Sequence, residues 1–181
     1  MRWYWYVAVA AAVAYVVWVF NALVRDRNQV AAAWSDVDVQ LQRRHDLVPS
    51  LVEVVKGYAG HEREVLERVV AERNASRQAG GVAEKGEHEV ALARDLGRLL
   101  ALAEAYPDLK ASANFAQLSG ELVQVEDHLQ YARRFYNGSV RQYNTRIEQF
   151  PDVLVARAFA FHAAEFFAAE AEARATPEVA L

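Results

Sequence analysis

Residues 1–24, MRWYWYVAVAAAVAYVVWVFNALV, carry one charged side chain, Arg2, before Arg25. The apolar run from residue 3 to 24 is polar only at Asn21 and at tyrosine hydroxyls. As a helix at about 1.5 Å per residue it is roughly 33 Å long, enough to cross a hydrocarbon layer of about 30 Å. A cleaved signal peptide would have a shorter apolar core followed by a small-residue processing site, and FNALVRDRNQV provides none. A buried helix apolar on all sides would need a larger core than 181 residues supply. Trp3, Tyr4, Trp5 and Tyr6 at one end and Trp18 and Phe20 near the other sit where amphipathic rings favour lipid headgroups. These six are the expected anchor residues. Arg25, Arg27, Arg43 and Arg44 follow the span while Arg2 precedes it, so the Lys/Arg rule favours a cytoplasmic domain.

The chain after residue 24 is one domain in size and helical in composition. Hydrophobic residues make up 54%, much of that alanine, with only 8 Gly and 4 Pro to break helices. There are no cysteines, so disulfides, thiolate metal sites and cysteine nucleophiles are excluded. The net charge of −4 comes from 20 basic and 24 acidic residues without a basic block, which argues against a nucleic-acid surface.

Val30, Trp34, Val37, Leu41, His45, Val48, Leu51 and Val55 repeat at steps of three or four. This is the core stripe of helices packed at shallow angles. Pro49 lies inside the stripe, and proline removes one helix hydrogen bond and clashes a turn back, so a break or kink is expected at DLVPS. A turn there would give four helices, with the last returning to the membrane. A kink would give three, ending distally. Four close a core more readily, which favours the turn. QAGGVAEKGEHE, residues 78–89, is the expected main loop, followed by a helix with Val90, Ala93, Leu96, Leu100 and Ala103 on one face. Pro107 ends it, and Asp108 or Ser112 can cap the next. A long stripe then runs from Phe115 through Leu122, Leu129, Tyr136 and Tyr143 to Phe150, closed by Pro151.

The expected fold is all-α: a single transmembrane helix (residues 1–24), an elongated antiparallel four-helix bundle (25–151) and a Phe-rich amphipathic tail (152–181). In that tail Phe159, Phe161, Phe166 and Phe167 are candidates for a lipid interface.

Two segments carry a family resemblance: FNALVRDRNQVAAAWSDVDVQLQRRHDLVPSLVEVVKGYAGHE and AEAYPDLKASANFAQLSGELVQVEDHLQYARRFYNGSVRQYNTRIEQFPDVLVARAFAF. Together with the spacing of Tyr136–Asn137, Tyr143–Asn144 and Phe150–Pro151, they resemble the LemA family over nearly the whole chain. The resemblance implies a single-pass bacterial membrane protein of the plasma membrane with an antiparallel four-helix bundle. It brings no established enzymatic activity and no catalytic residues. HAAEFF at 162–167 departs from relatives that often carry proline there, and the GG loop is also a mild departure.

Catalytic and metal motifs fail on inspection. His61–Glu64 begins like a zinc-binding HExxH helix, but position 65 is Val65. No Glu-x-x-His of the dimetal bundles occurs, and Asp36 and Asp38 diverge on a helix. No metal, cofactor or small-molecule substrate is therefore expected. Arg43, Arg44, His45 and Asp46 are read as ion pairs bordering Pro49, with an anion site or pH-sensitive contact as the sharper alternative. Asn137 and Asn144, seven apart, stack on one helix face and are expected to fix helix pairing.

Two functions remain. The first is a membrane-tethered interaction or scaffold protein that self-associates or binds a membrane-protein partner, helped by Ala8, Ala10, Ala11, Ala12 and Ala14 in the span. The second is a membrane-surface organiser whose Phe-rich tail inserts into the lipid interface.

Overall fold

The computed structural model describes residues 3–167. Its organising element is α1, Trp3–Tyr58, a single helix that begins in the apolar span and continues into the bundle. Residues 3–18 are exposed along their whole length, and Val19 is the first buried position. α1 is long and apolar enough near the N-terminus to cross a membrane.

The expected turn at Pro49 does not occur, because α1 passes through it. A proline at position 49 cannot donate to the His45 carbonyl four residues back. Arg73, from the neighbouring helix, supplies the missing donor: its Nε lies 2.9 Å from His45 O. The helix survives because a side chain replaces the lost backbone bond.

The chain reverses instead at residues 59–62. α2, Arg63–Gln78, runs back and pairs with α3, Val82–Leu102. The loop between them is three residues, far shorter than expected, and Gly86 lies within α3. The buried face of α3 is Gly86, Glu89, Leu92, Asp95, Leu96 and Leu99, whereas Val90 is exposed. Two carboxylates on the core face hide this stripe from an apolar count. The short α4, Pro107–Lys110, leads to α5, Ala113–Glu148, whose N-cap Ser112 accepts from Phe115 N. α5 packs along α1 over most of its length and returns toward the span. Its stripe matches expectation from Phe115 to Tyr143, while Phe150 is exposed. α6, Asp152–Ala158, then turns against α1.

So four long helices close the bundle, and the last one returns toward the N-terminal apolar segment. The four long helices are as expected, with the short α4 and α6 added, but the first reversal lies about a dozen residues later.

The core is segmented. A distal cluster begins at Val48 and includes Leu51, Val55, Leu66, Leu92, Leu99 and Leu109. A middle cluster contains Val30, Val37, Leu41, Leu129 and Val140. A third cluster, beside the N-terminal apolar segment, joins Val19 and Leu23 to Val155 and Ala156 of α6. Buried polar groups sit at each boundary: Arg44 and His45 between the first two, Asp26 between the last two.

Candidate functional site

Two constructed features stand out among the described residues: the polar layer at Arg44–His45, and a groove on α5 that holds the C-terminal segment.

The polar layer is built around Glu89. Its Oε1 accepts from His45 Nε2 and from Ser76 Oγ, both at 2.5 Å, and its Oε2 accepts from Arg44 Nη1 at 2.8 Å. Arg44 Nη2 also pairs with Glu126. Arg44, His45, Ser76 and Glu89 are each at most 3% exposed. Burial alone would raise the Glu89 carboxyl, but the His45 bond, the Arg44 charge and the Ser76 bond together hold it below its ordinary value. Burial pushes the Arg44 guanidinium down, against the Glu89 charge that supports it, with Arg133 adding to the fall. Helices α1, α2, α3 and α5 all contribute to this layer, so it fixes their mutual register.

The quartet Arg43–Asp46 therefore divides. Arg44 and His45 face inward, whereas Arg43 and Asp46 are exposed, with Asp46 accepting from Gln42 Nε2 at 2.7 Å. The expectation of modest ion pairs at a kink is corrected for Arg44 and His45, which form a buried network. Glu89, Ser76 and Glu126 escaped the sequence reading. The available signal was a carboxylate on the core face of α3, visible only once the stripe is placed through Leu92 and Leu99.

Asn137 and Asn144 do not join helix to helix. Asn144 Nδ2 donates to Ala164 O and its Oδ1 accepts from Ala164 N, both at 2.9 Å. Asn137 makes the same reciprocal pair with Phe167 O and N, both at 3.0 Å. Seven residues of helix rise about 10.5 Å, and three extended residues span about 10 Å, so the two carboxamides match the strand they hold. Tyr136 Oη adds a bond to Glu165 O at 2.8 Å. Burial first and the Glu165 charge second push the Tyr136 phenol up, which keeps it a donor.

Residues 161–167, an irregular strap, thus lie antiparallel to α5. Phe167, expected at a lipid interface, is fully buried in the middle cluster. Its ring is 5.7 Å from Trp34 and 5.2 Å from the Arg133 guanidinium. Phe161 and Phe166 are half-buried against the same cluster. Phe159 is 53% exposed, and Phe159 and Phe161 both pack edge-on to Phe20, at 4.9 and 5.7 Å. Phe20 therefore has protein on one side. Trp3, Tyr4, Trp5, Tyr6 and Trp18 project outward, each at least 59% exposed.

Next to the N-terminal apolar segment, buried Asp26 faces Arg146 Nη1 at 3.1 Å, an ion pair off the line of a hydrogen bond. Tyr15 Oη donates to Asp152 at 2.9 Å, tying the start of α6 to the span.

Comparison with known proteins gives a consistent picture. The LemA family profile matches residues 33–181. Magnetosome protein MamQ of Magnetospirillum gryphiswaldense is 26% identical over 174 residues, covering 82% of this chain and 64% of its own length. Magnetosome protein MamQ 2 of Paramagnetospirillum magneticum is 25% identical over 186 residues, covering 88% of this chain and 68% of its own length. Protein LemA of Metamycoplasma hominis is 28% identical over 134 residues, 72% of this chain and 60% of its own. The chain thus spans roughly two thirds of the length of these relatives.

Proposed function

The chain belongs to the LemA family, and on that premise we propose that it is a membrane-anchored interaction protein that holds a rigid helical bundle beside a bilayer. The observation that carries this reading is the unbroken α1, which serves as both anchor and bundle wall. A protein built this way presents surfaces at a fixed place and orientation. We assign it no reaction of its own. The Arg25 and Arg27 flank supports a single pass through the bacterial plasma membrane with the bundle on the cytoplasmic side. Gentle extraction of the full-length protein from its native membrane tests the reading. Self-association or a reproducible membrane-protein partner is expected, and a strict monomer with no partner would sink it.

A second reading has its own observation. α6 packs on Val19 and Leu23 and leaves Leu154 60% and Phe159 53% exposed beside the span, with Phe150 81% exposed just before it. About 20 residues of helix are needed to cross the hydrocarbon, so a span starting at Trp3 reaches the level of α6. These side chains are then suited to the lipid boundary. If bromine-bearing lipids that quench at that depth leave the emission of Leu154→Trp unaffected, with Trp3, Trp5, Trp18 and Trp34 replaced by Phe, this reading fails.

A further inference from the structure

The apolar segment and the bundle overlap in height. Tyr15 lies twelve residues after Trp3 in α1, a rise of about 18 Å, so a hydrocarbon layer of about 30 Å that begins at Trp3 continues about 12 Å past it. Yet Tyr15 Oη donates to Asp152 at 2.9 Å, at the start of α6. Just past the other end of α6, the Phe159 ring lies 4.9 Å from Phe20, a position about 26 Å above Trp3. All of α6 therefore stands beside α1 above the midplane, at about 15 Å, and below the bundle-side edge of the hydrocarbon. Arg146 of α5 faces Asp26, about 4 Å above that edge, so the chain steps down into the layer through Phe150 and Pro151. The side chains fit that depth. Phe150, Leu154 and Phe159 are exposed, while Val155 and Ala156 seal against Val19 and Leu23. A carboxylate is costly there unless it is paired. Asp152 accepts from Tyr15 and has Arg146 Nε 3.9 Å from its second oxygen, which leaves its side chain only 16% exposed. Arg157, exposed on the upper half of α6, has the length to reach the headgroups.

We propose that the Phe150–Pro151 turn and α6 form a wedge that enters only the bundle-side leaflet, and that the partner it selects is a bilayer curved convex toward the bundle. The proposal rests on the reading that sets these side chains in lipid, and adds the membrane shape they select. In the far leaflet the protein is one helix, about 10 Å across; in the near leaflet α6 stands beside it, and the displaced area about doubles. Lipids are pushed apart on one side only. A convex near leaflet relieves that crowding, as it does for other helices that bury an apolar face in one leaflet.

The test uses the full-length chain, whose lack of cysteine allows a single dye at Gly57→Cys, where an added Cβ meets nothing within 4 Å. Labelled protein is reconstituted into phosphatidylcholine vesicles of mixed size, and dye density per membrane area is read vesicle by vesicle. A membrane-impermeant quencher separates outward-facing bundles from inward-facing ones. Between diameters of about 200 nm and about 40 nm, outward-facing copies should become about threefold denser, and inward-facing copies, whose near leaflet is concave, should become sparser. A flat dependence, or the same trend in both orientations, overturns the wedge. Phe150→Ser with Leu154→Ser, both at exposed positions, should flatten the two curves. Curves that stay steep put the curvature preference elsewhere and overturn it equally. The comparison of orientations needs no variant, so a misfolded double variant leaves the test intact. Bromolipid quenching of Leu154→Trp separates the readings: quenching without a curvature trend keeps α6 in lipid and removes only the wedge, and no quenching removes both.

Discussion

Glu89 gathers three donors on one carboxylate at a level of the bundle where the chain otherwise buries valine and leucine. Desolvating Arg44 and Glu89 is expensive, and their attraction offsets that only while every bond is made. Glu89→Ala leaves the buried Arg44 with Glu126 as its carboxylate partner and His45 and Ser76 without theirs, and should cost about 3 kcal/mol of bundle stability, measured by denaturant titration in mild detergent. Replacing Arg44 and Glu89 together by Met and Leu should cost far less. The pH dependence follows from the lowered Glu89 carboxyl. Its contribution is complete above the unfolded-chain value of about 4.3 and fades as pH falls from there through the lower folded value. Thermal melts from pH 6 down to 3 should therefore show an acid-side loss that is smaller in Glu89→Gln. At Asn144, truncation to alanine leaves Ala164 N–H and C=O without partners, a cost of about 1–3 kcal/mol where those groups stay buried. Limited proteolysis should then cut the strap first.

At the level of elements, α1 and its one proline are the most instructive case. An interior proline costs a helix about 3 kcal/mol, and the sequence alone offers no reason to expect a helix to tolerate it. The reason lies 24 residues away, in Arg73, which bonds the orphaned His45 carbonyl. Arg73→Met should therefore destabilise the bundle by about 1–2 kcal/mol, and by clearly less in a Pro49→Ala background, where α1 can make its own bond. A double-mutant cycle on thermal stability reads this coupling, and equal losses in both backgrounds would refute the repair. The apolar N-terminal segment and the α5 stripe as far as Tyr143 were legible because their apolar residues recur with little interruption, and Ser112 was one of two candidate caps. The α3 face was legible in part: Leu96 and Ala103 are buried and Ala93 and Leu100 half-buried as expected, but Val90 is exposed, since Glu89 and Asp95 occupy core positions beside them. Asn137 and Asn144 were visible as a pair seven apart, but their partner is main chain, which leaves no mark in sequence.

For the whole molecule, the segmented core gives the bundle fixed points. Polar layers at Arg44–His45 and at Asp26 separate apolar clusters, so a one-turn slip of α5 along α1 would place Glu126 and Arg146 out of reach of their partners. The unbroken α1 adds a mechanical property. The 34 residues from Arg25 to Tyr58 rise about 51 Å above the span without a joint. A span accommodates a thinner or thicker bilayer by tilting. With no hinge to absorb it, a tilt of about 10° sweeps Tyr58 sideways by about 9 Å. For a bundle anchored as proposed, α1 is a lever arm, and a change in the thickness of the lipids beneath it displaces the far tip at Tyr58.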